Sequence, residues 1–147
     1  MKFYSSLQNK INKKTAKIAV IGLGYVGLPL ALQFVKRKFM VIGYDIDVKK
    51  IKLLNNNKSY IKHIKSKTIK KSKNRINYTN KISKLNFADI IILCLPTPLK
   101  ENFNPDLSHI KNTMQKMISY LGKGKLIILE SSTYPGSTKE LMIPFLK

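Results

Sequence analysis

Gly22-Leu23-Gly24-Tyr25-Val26-Gly27 has the G-x-G-x-x-G spacing of a turn that can cradle a pyrophosphate. Each glycine has its own task in that chemistry. Gly22 permits a sharp turn, Gly24 lets a phosphate approach the backbone, and Gly27 lets the next helix pack against the preceding strand. The helix N-terminus then offers unpaired N–H groups and partial positive charge to the anion. Three glycines in six residues also mark ordinary tight turns, so the flanks must carry the argument. An apolar run, Lys17 to Ile21, precedes the turn, and Val26, Leu30, Phe34 and Val35 recur after it at helical spacing. Pro29 removes one helical hydrogen bond near the helix start, where the loss is best tolerated. Asp45 lies 18 residues beyond Gly27 and closes a second apolar run. A carboxylate there can accept both ribose hydroxyls of an adenosine. No arginine follows immediately to hold a 2′-phosphate, so the pattern selects NAD over NADP. Asp47 suits the N-cap of the next helix.

Other reactive side chains are few. Cys94 falls in an apolar run without a basic neighbour to lower its pKa, and it reads as a core thiol. A single cysteine excludes an internal disulfide framework and fits a reducing cytoplasm. His63 and His109 read as surface or loop residues, since a lone histidine without a paired carboxylate is a poor catalytic base. No catalytic residue and no metal site is expected.

The elements that would position these residues alternate between strand and helix. Residues 1–15 form a basic lead, a short helix or a frayed end. Strands are expected at 17–21, 39–44, 76–79, 89–95 and 125–130. Helices are expected after Gly27, at 48–54 and at 106–121, with a further helix starting at Ser137. The stretch from Lys58 to Arg75 permits an amphipathic helix with a basic face around Ile61, Ile64 and Ile69. This order predicts an α/β fold, a doubly wound parallel sheet of Rossmann type over residues 16–147 that stops after its fifth strand.

Composition bounds the rest. The 147 residues suit one domain, and 44% hydrophobic residues suffice for a core. No apolar stretch approaches the roughly 20 residues needed to cross a bilayer, and none of signal-peptide type opens the chain. A cytoplasmic protein without membrane contact is expected. The net charge of +21 resembles that of a nucleic-acid binder. Yet Arg37 and Arg75 are the only arginines, and the other 26 cations are lysines. Arginine is the better tool for bidentate phosphate and guanine contacts. Together with many Asn and Ile residues, this points to compositional drift in an AT-rich genome, and no specific nucleic-acid partner is expected.

Six segments in order, KIAVIGLGYVGLPLA (17–31), GYDID (43–47), KSYIKHI (58–64), LPTPL (95–99), PDLS (105–108) and LESSTYPGST (129–138), resemble the UDP-glucose/GDP-mannose dehydrogenase family. The resemblance is strongest to its UDP-N-acetylglucosamine 6-dehydrogenase branch. It implies an NAD-binding domain of enzymes that oxidise the C6 alcohol of a UDP-sugar to a carboxylate, for polysaccharide or lipopolysaccharide synthesis. It also implies cofactor contacts at Gly22, Gly24, Tyr25, Val26, Gly27, Asp45, Pro96 and Thr97. Glu130, Thr133 and Thr138 would stand on the nicotinamide side. The family's catalytic cysteine, and the lysine and asparagine that work with it, belong to a second half not represented in these segments. The expectation is therefore a fragment inactive alone, taking a UDP-sugar, and forming a homodimer, only together with that half. A stand-alone NAD-binding or regulatory module is the alternative, and a basic nucleic-acid-binding protein a remoter one. Two departures from the family pattern stand out: Asn57 occupies a usual glycine position, and Arg37-Lys38 replaces an alanine-glycine turn.

Overall fold

The computed structural model describes residues 2–101 and 103–146. Five strands form one sheet: β1 (Lys17–Ile21), β2 (Met40–Tyr44), β3 (Ile76–Thr79), β4 (Ile90–Leu93) and β5 (Leu126–Leu129). All neighbours are parallel, in the order β3-β2-β1-β4-β5. This is the expected doubly wound sheet. The winding direction reverses at β1, which pairs with β2 on one side and β4 on the other, and ligands of such sheets bind at that reversal.

Helices cover both faces: α1 (Lys2–Asn12), α2 (Gly27–Lys36), α3 (Val48–Asn55), α4 (Ser66–Ser72), α5 (Ser108–Met117) and α6 (Ile143–Leu146). Strand periodicity divides the core in two. From β1, Ile18 and Val20 join Leu28, Ala31, Ile51 and Ile69 on one face. Ala19 and Ile21 join Ile91, Ile110, Met114 and Met117 on the other. Successive side chains of a strand point to opposite faces, so a strand buried on both sides must be apolar throughout. The Ile-Ile-Ile-Leu of β4 is buried at every position.

Several boundaries differ from the sequence expectation. The stretch from Lys58 to Arg75 is not one amphipathic helix. Ile61 and Ile64 enter the core from a loop, and helix begins only at Ser66. Ser59 competes with helix formation there. Its hydroxyl donates to the Ile61 carbonyl and accepts from the Ile61 N–H, both at 3.2 Å. The helix expected over 106–121 ends at Met117 and continues as a tighter 3₁₀ turn, Ile118–Tyr120. The segment after Ser137 opens as a wide π-type turn, Thr138–Met142, before α6. The basic lead is a docked helix. Leu7 and Ile11 pack on the core, and Lys10 Nζ lies 2.6 Å from Asp89 Oδ1. Pro29 is the third residue of α2, where the expected tolerance applies. No described helix is long and apolar enough to cross a membrane.

Candidate dinucleotide cleft

The ladders run one residue past each strand and so bring four chain segments to one edge. Gly22 N–H donates to Tyr44 O (2.8 Å), Cys94 N–H to Ile21 O (2.8 Å), Glu130 N–H to Leu93 O (2.9 Å) and Asp45 N–H to Thr79 O (3.2 Å). Above this edge lies a cleft of about 610 Å³. It is lined by Gly22, Gly24, Tyr25, Val26, Asp45, Pro96, Thr97 and Glu130, all singled out from the sequence. Gly27 lies beneath the turn. Thr133 and Thr138 fall outside the lining, although Ser131 and Ser132 of the same loop are within it.

The glycine turn is shaped by close approach. A Cβ on Gly27 would sit 1.7 Å from the Gly22 carbonyl oxygen, so no other residue fits. Gly22 has φ +88°, and its Cβ would come within 2.5 Å of the Cys94 carbonyl oxygen. Gly24 is the opposite case. A Cβ there meets nothing within 4 Å, so space remains for a ligand at the backbone. The amides of Gly24, Tyr25 and Val26 donate to no acceptor among the described residues. Three unpaired donors at the start of α2, beside open space, match the chemistry of a pyrophosphate.

Asp45 is 6% exposed and already engaged. Its Oδ2 accepts from the Leu23 N–H (2.8 Å) and its Oδ1 from the Asp47 N–H (2.9 Å). Each carboxylate oxygen can accept more than one bond, so capacity for hydroxyl donors remains. Asp47 caps α3, accepting from Lys49 N–H at 2.8 Å and Lys50 N–H at 3.3 Å. Lys50 Nζ stands 3.5 Å from Asp45 Oδ2 and is the cation at this end of the cleft.

Opposite, the loops after β4 and β5 are tied together. Thr97 Oγ1 donates to the Ser132 carbonyl (2.6 Å), and Leu95 N–H donates to Ser131 Oγ (2.9 Å). Cys94 is half-buried just past β4 and lines the cleft, rather than lying within the strand. Burial pushes its thiol up to about 11, and the Glu130 charge adds to the shift. An un-ionised thiol is a poor nucleophile, in keeping with a passive role. Sequence reasoning missed Lys50, His109 and Thr113 in the lining. The two α5 residues sit one helical turn apart, at i and i+4. That spacing was visible, but nothing in the sequence told which face of α5 meets the cleft.

The model of the UDP-glucose/GDP-mannose dehydrogenase family, NAD binding domain, matches residues 16–147. The chain belongs to this family. It is 37% identical over 130 residues to Protein CapL of Staphylococcus aureus, covering 88% of this chain and 30% of that protein. It is 34% identical to a UDP-N-acetyl-D-glucosamine 6-dehydrogenase of Pseudomonas aeruginosa, covering 91% and 31%. A solved UDP-D-ManNAc dehydrogenase from Pyrococcus horikoshii superposes with a TM-score of 0.82 at 31% identity, covering 88% of this chain and 31% of that one. The chain thus spans about 30% of the length of the curated relatives it matches. The cofactor of this domain is NAD.

Proposed function

We propose that the cleft holds NAD as the dinucleotide site of a nucleotide-sugar 6-dehydrogenase. The substrate is a UDP-sugar of the N-acetylglucosamine or N-acetylmannosamine type, oxidised at C6 from alcohol to carboxylate. One observation carries the cofactor site: Gly24 is open where the amides of residues 24–26 lack acceptors among the described residues, above a cleft that ends at the Asp45 carboxylate. The substrate class is supported by the relatives named UDP-N-acetyl-D-glucosamine and UDP-N-acetyl-D-mannosamine dehydrogenases.

Bound NAD supplies the hydride acceptor for alcohol oxidation. The residues of this chain bind and orient. The amides of Gly24, Tyr25 and Val26 receive the pyrophosphate, while Gly22 and Gly27 keep the turn closed. Asp45 accepts the ribose hydroxyls with the capacity left by Leu23 and Asp47. Pro96, Thr97 and Glu130 flank the other wall, where the bond from Thr97 to Ser132 holds two loops at a set distance. Thr133 and Thr138 lie outside the cleft lining, on the loop that carries Ser131 and Ser132, and would stand on the nicotinamide side. A 2′-phosphate would crowd Asp45 and Asp47, and Lys50, already paired with Asp45, does not offset two carboxylates.

Calorimetric titration of the 147-residue chain with NAD and NADP tests this reading, alongside Gly24→Ala. NAD is expected to bind more tightly than NADP. Gly24→Ala should weaken NAD by about tenfold or more, the equivalent of one charge-assisted hydrogen bond, with the melting temperature unmoved. Equal NADP affinity, or a Gly24→Ala chain that binds NAD normally, refutes the site.

A further inference from the structure

The KSYIKHI segment, residues 58–64, lines no part of the cleft, yet it makes two contacts with the glycine turn. Tyr60 donates its hydroxyl to the Leu23 carbonyl oxygen at 2.5 Å. The His63 ring lies 6.3 Å from that of Tyr25, tilted by 30°. The segment is well anchored for such a task. Ile61 and Ile64 are buried at 3% and 9% exposure, and the Ser59 N–H donates to Ser66 Oγ at 3.0 Å.

Leu23 is therefore held from both sides. Its N–H reaches the Asp45 carboxylate, and its carbonyl receives the Tyr60 hydroxyl. Its side chain is fully buried. A trans peptide is planar, with C=O and the following N–H on opposite sides. Fixing the Leu23 carbonyl toward Tyr60 therefore turns the Gly24 N–H away from Tyr60, where it finds no acceptor among the described residues. Gly24 on one side of this peptide would otherwise let it rotate more cheaply. Lys50 completes the arrangement. Its ammonium lies 5.8 Å from the Tyr60 ring centroid and 3.5 Å from Asp45 Oδ2.

We propose that Tyr60 is a positioning residue for dinucleotide binding: its hydroxyl locks the Leu23–Gly24 peptide in the orientation that leaves the Gly24 N–H free for a phosphate oxygen. The proposal rests on the reading of the turn as the pyrophosphate site. Preorganisation of this kind raises affinity by removing the cost of ordering the loop at the moment of binding.

Tyr60→Phe tests it, since the ring and its packing are kept. Two readouts are compared with the unsubstituted chain: site-resolved amide hydrogen exchange without ligand, and calorimetric NAD affinity. Exchange at the Leu23 amide should accelerate about 3- to 10-fold, the range expected for one hydrogen bond, while β1 and the body of α2 keep their protection. NAD affinity should fall by a similar factor, roughly 3- to 10-fold. Unchanged exchange at Leu23, or acceleration spread equally over β1 and α2, overturns the clamp and leaves Tyr60 a packing residue. So does unaltered NAD affinity in Tyr60→Phe. If the unsubstituted chain binds no NAD at all, the pyrophosphate reading falls instead, and the exchange data alone still decide whether Tyr60 locks the peptide.

Discussion

Asp45 combines two tasks in one carboxylate. It accepts two backbone N–H bonds, one of them from the glycine turn, and it is the acceptor at the end of the cleft. Asp45→Asn is therefore expected to weaken NAD binding by about 1.5–3 kcal/mol, the range for a hydrogen bond to a charged group. It should also lower the melting temperature, since an amide offers only one accepting oxygen for Leu23 and Asp47. Calorimetry and thermal melting on the same sample check both halves; a loss of affinity without any loss of stability contradicts the dual role. Cys94 supplies the pH dependence. With its thiol raised from 9.0 to about 11 by burial and then by Glu130, it stays protonated in the folded chain where the unfolded chain ionises. Its contribution to stability is thus full below pH 9 and is lost as pH rises through about 11. Alkylation at pH 8 should run at least about tenfold slower in the native chain than in denaturant. Equal rates would mean that the thiol is neither buried nor shifted.

Two residues set apart in the sequence, Asn57 and Lys38, lie in connections between elements, and both fall on left-handed backbone. Asn57 has φ 59° and Lys38 has φ 71°. Asparagine tolerates this conformation because its short side chain bonds locally, whereas lysine gains nothing there. The Lys38 carbonyl accepts from Arg75 Nη1 at 2.8 Å, a bond that needs no side chain at 38. Lys38→Gly is expected to stabilise the chain by about 0.5–1 kcal/mol, strain relief of about 1–2 kcal/mol less the extra backbone entropy of glycine. Urea unfolding measures this, and a lower midpoint would show the turn unstrained. A third connection is polar. Asp89, just before β4, accepts from Lys10 Nζ and from the Lys17 N–H, and its own N–H donates to the Lys17 carbonyl. It thereby ties α1 to the start of the sheet. Burial raises its carboxyl, but the bonds from Lys10 and Lys17 outweigh that and hold it below the usual value. Its contribution is present above the unfolded carboxyl pKa and fades as pH falls through the depressed folded one.

At the scale of the whole molecule, the charge of +21 does not converge on the cleft, whose lining sets Lys50 against three carboxylates, Asp45, Asp47 and Glu130. Lys36, Lys71 and Arg75 meet in a groove between α2 and α4, away from the dinucleotide cleft. Such a field attracts polyanions through counterion release without reading sequence. Short duplex DNA is expected to bind weakly, alike for different sequences, with affinity falling steeply as salt rises. Sequence-selective binding that persists near physiological salt in a fluorescence anisotropy titration would overturn the drift reading of the composition.

Period and punctuation made much of this legible in the residues. The apolar runs before Gly22, Asp45 and Pro96, each followed by turn or cap residues, sufficed to place β1, β2 and β4, because a strand buried on both faces must be apolar throughout. The spacing of Gly22, Gly24 and Gly27 identified the turn, because the Cβ clash at Gly27 is a local property of the backbone. Other features depend on contacts distant in sequence. Residues 58–65 carry apolar spacing that suits a helix, but the local bonds of Ser59 and the burial of Ile61 and Ile64 in the core select a loop. Tyr60 and Leu23 are 37 residues apart, and Thr97 and Ser132 are 35 apart. No local pattern encodes such pairs. For the second pair, the parallel sheet sets the carboxyl ends of β4 and β5 side by side. For the first, the loop between α3 and α4 meets the turn after β1. Burial leaves each polar group the partners that this geometry allows.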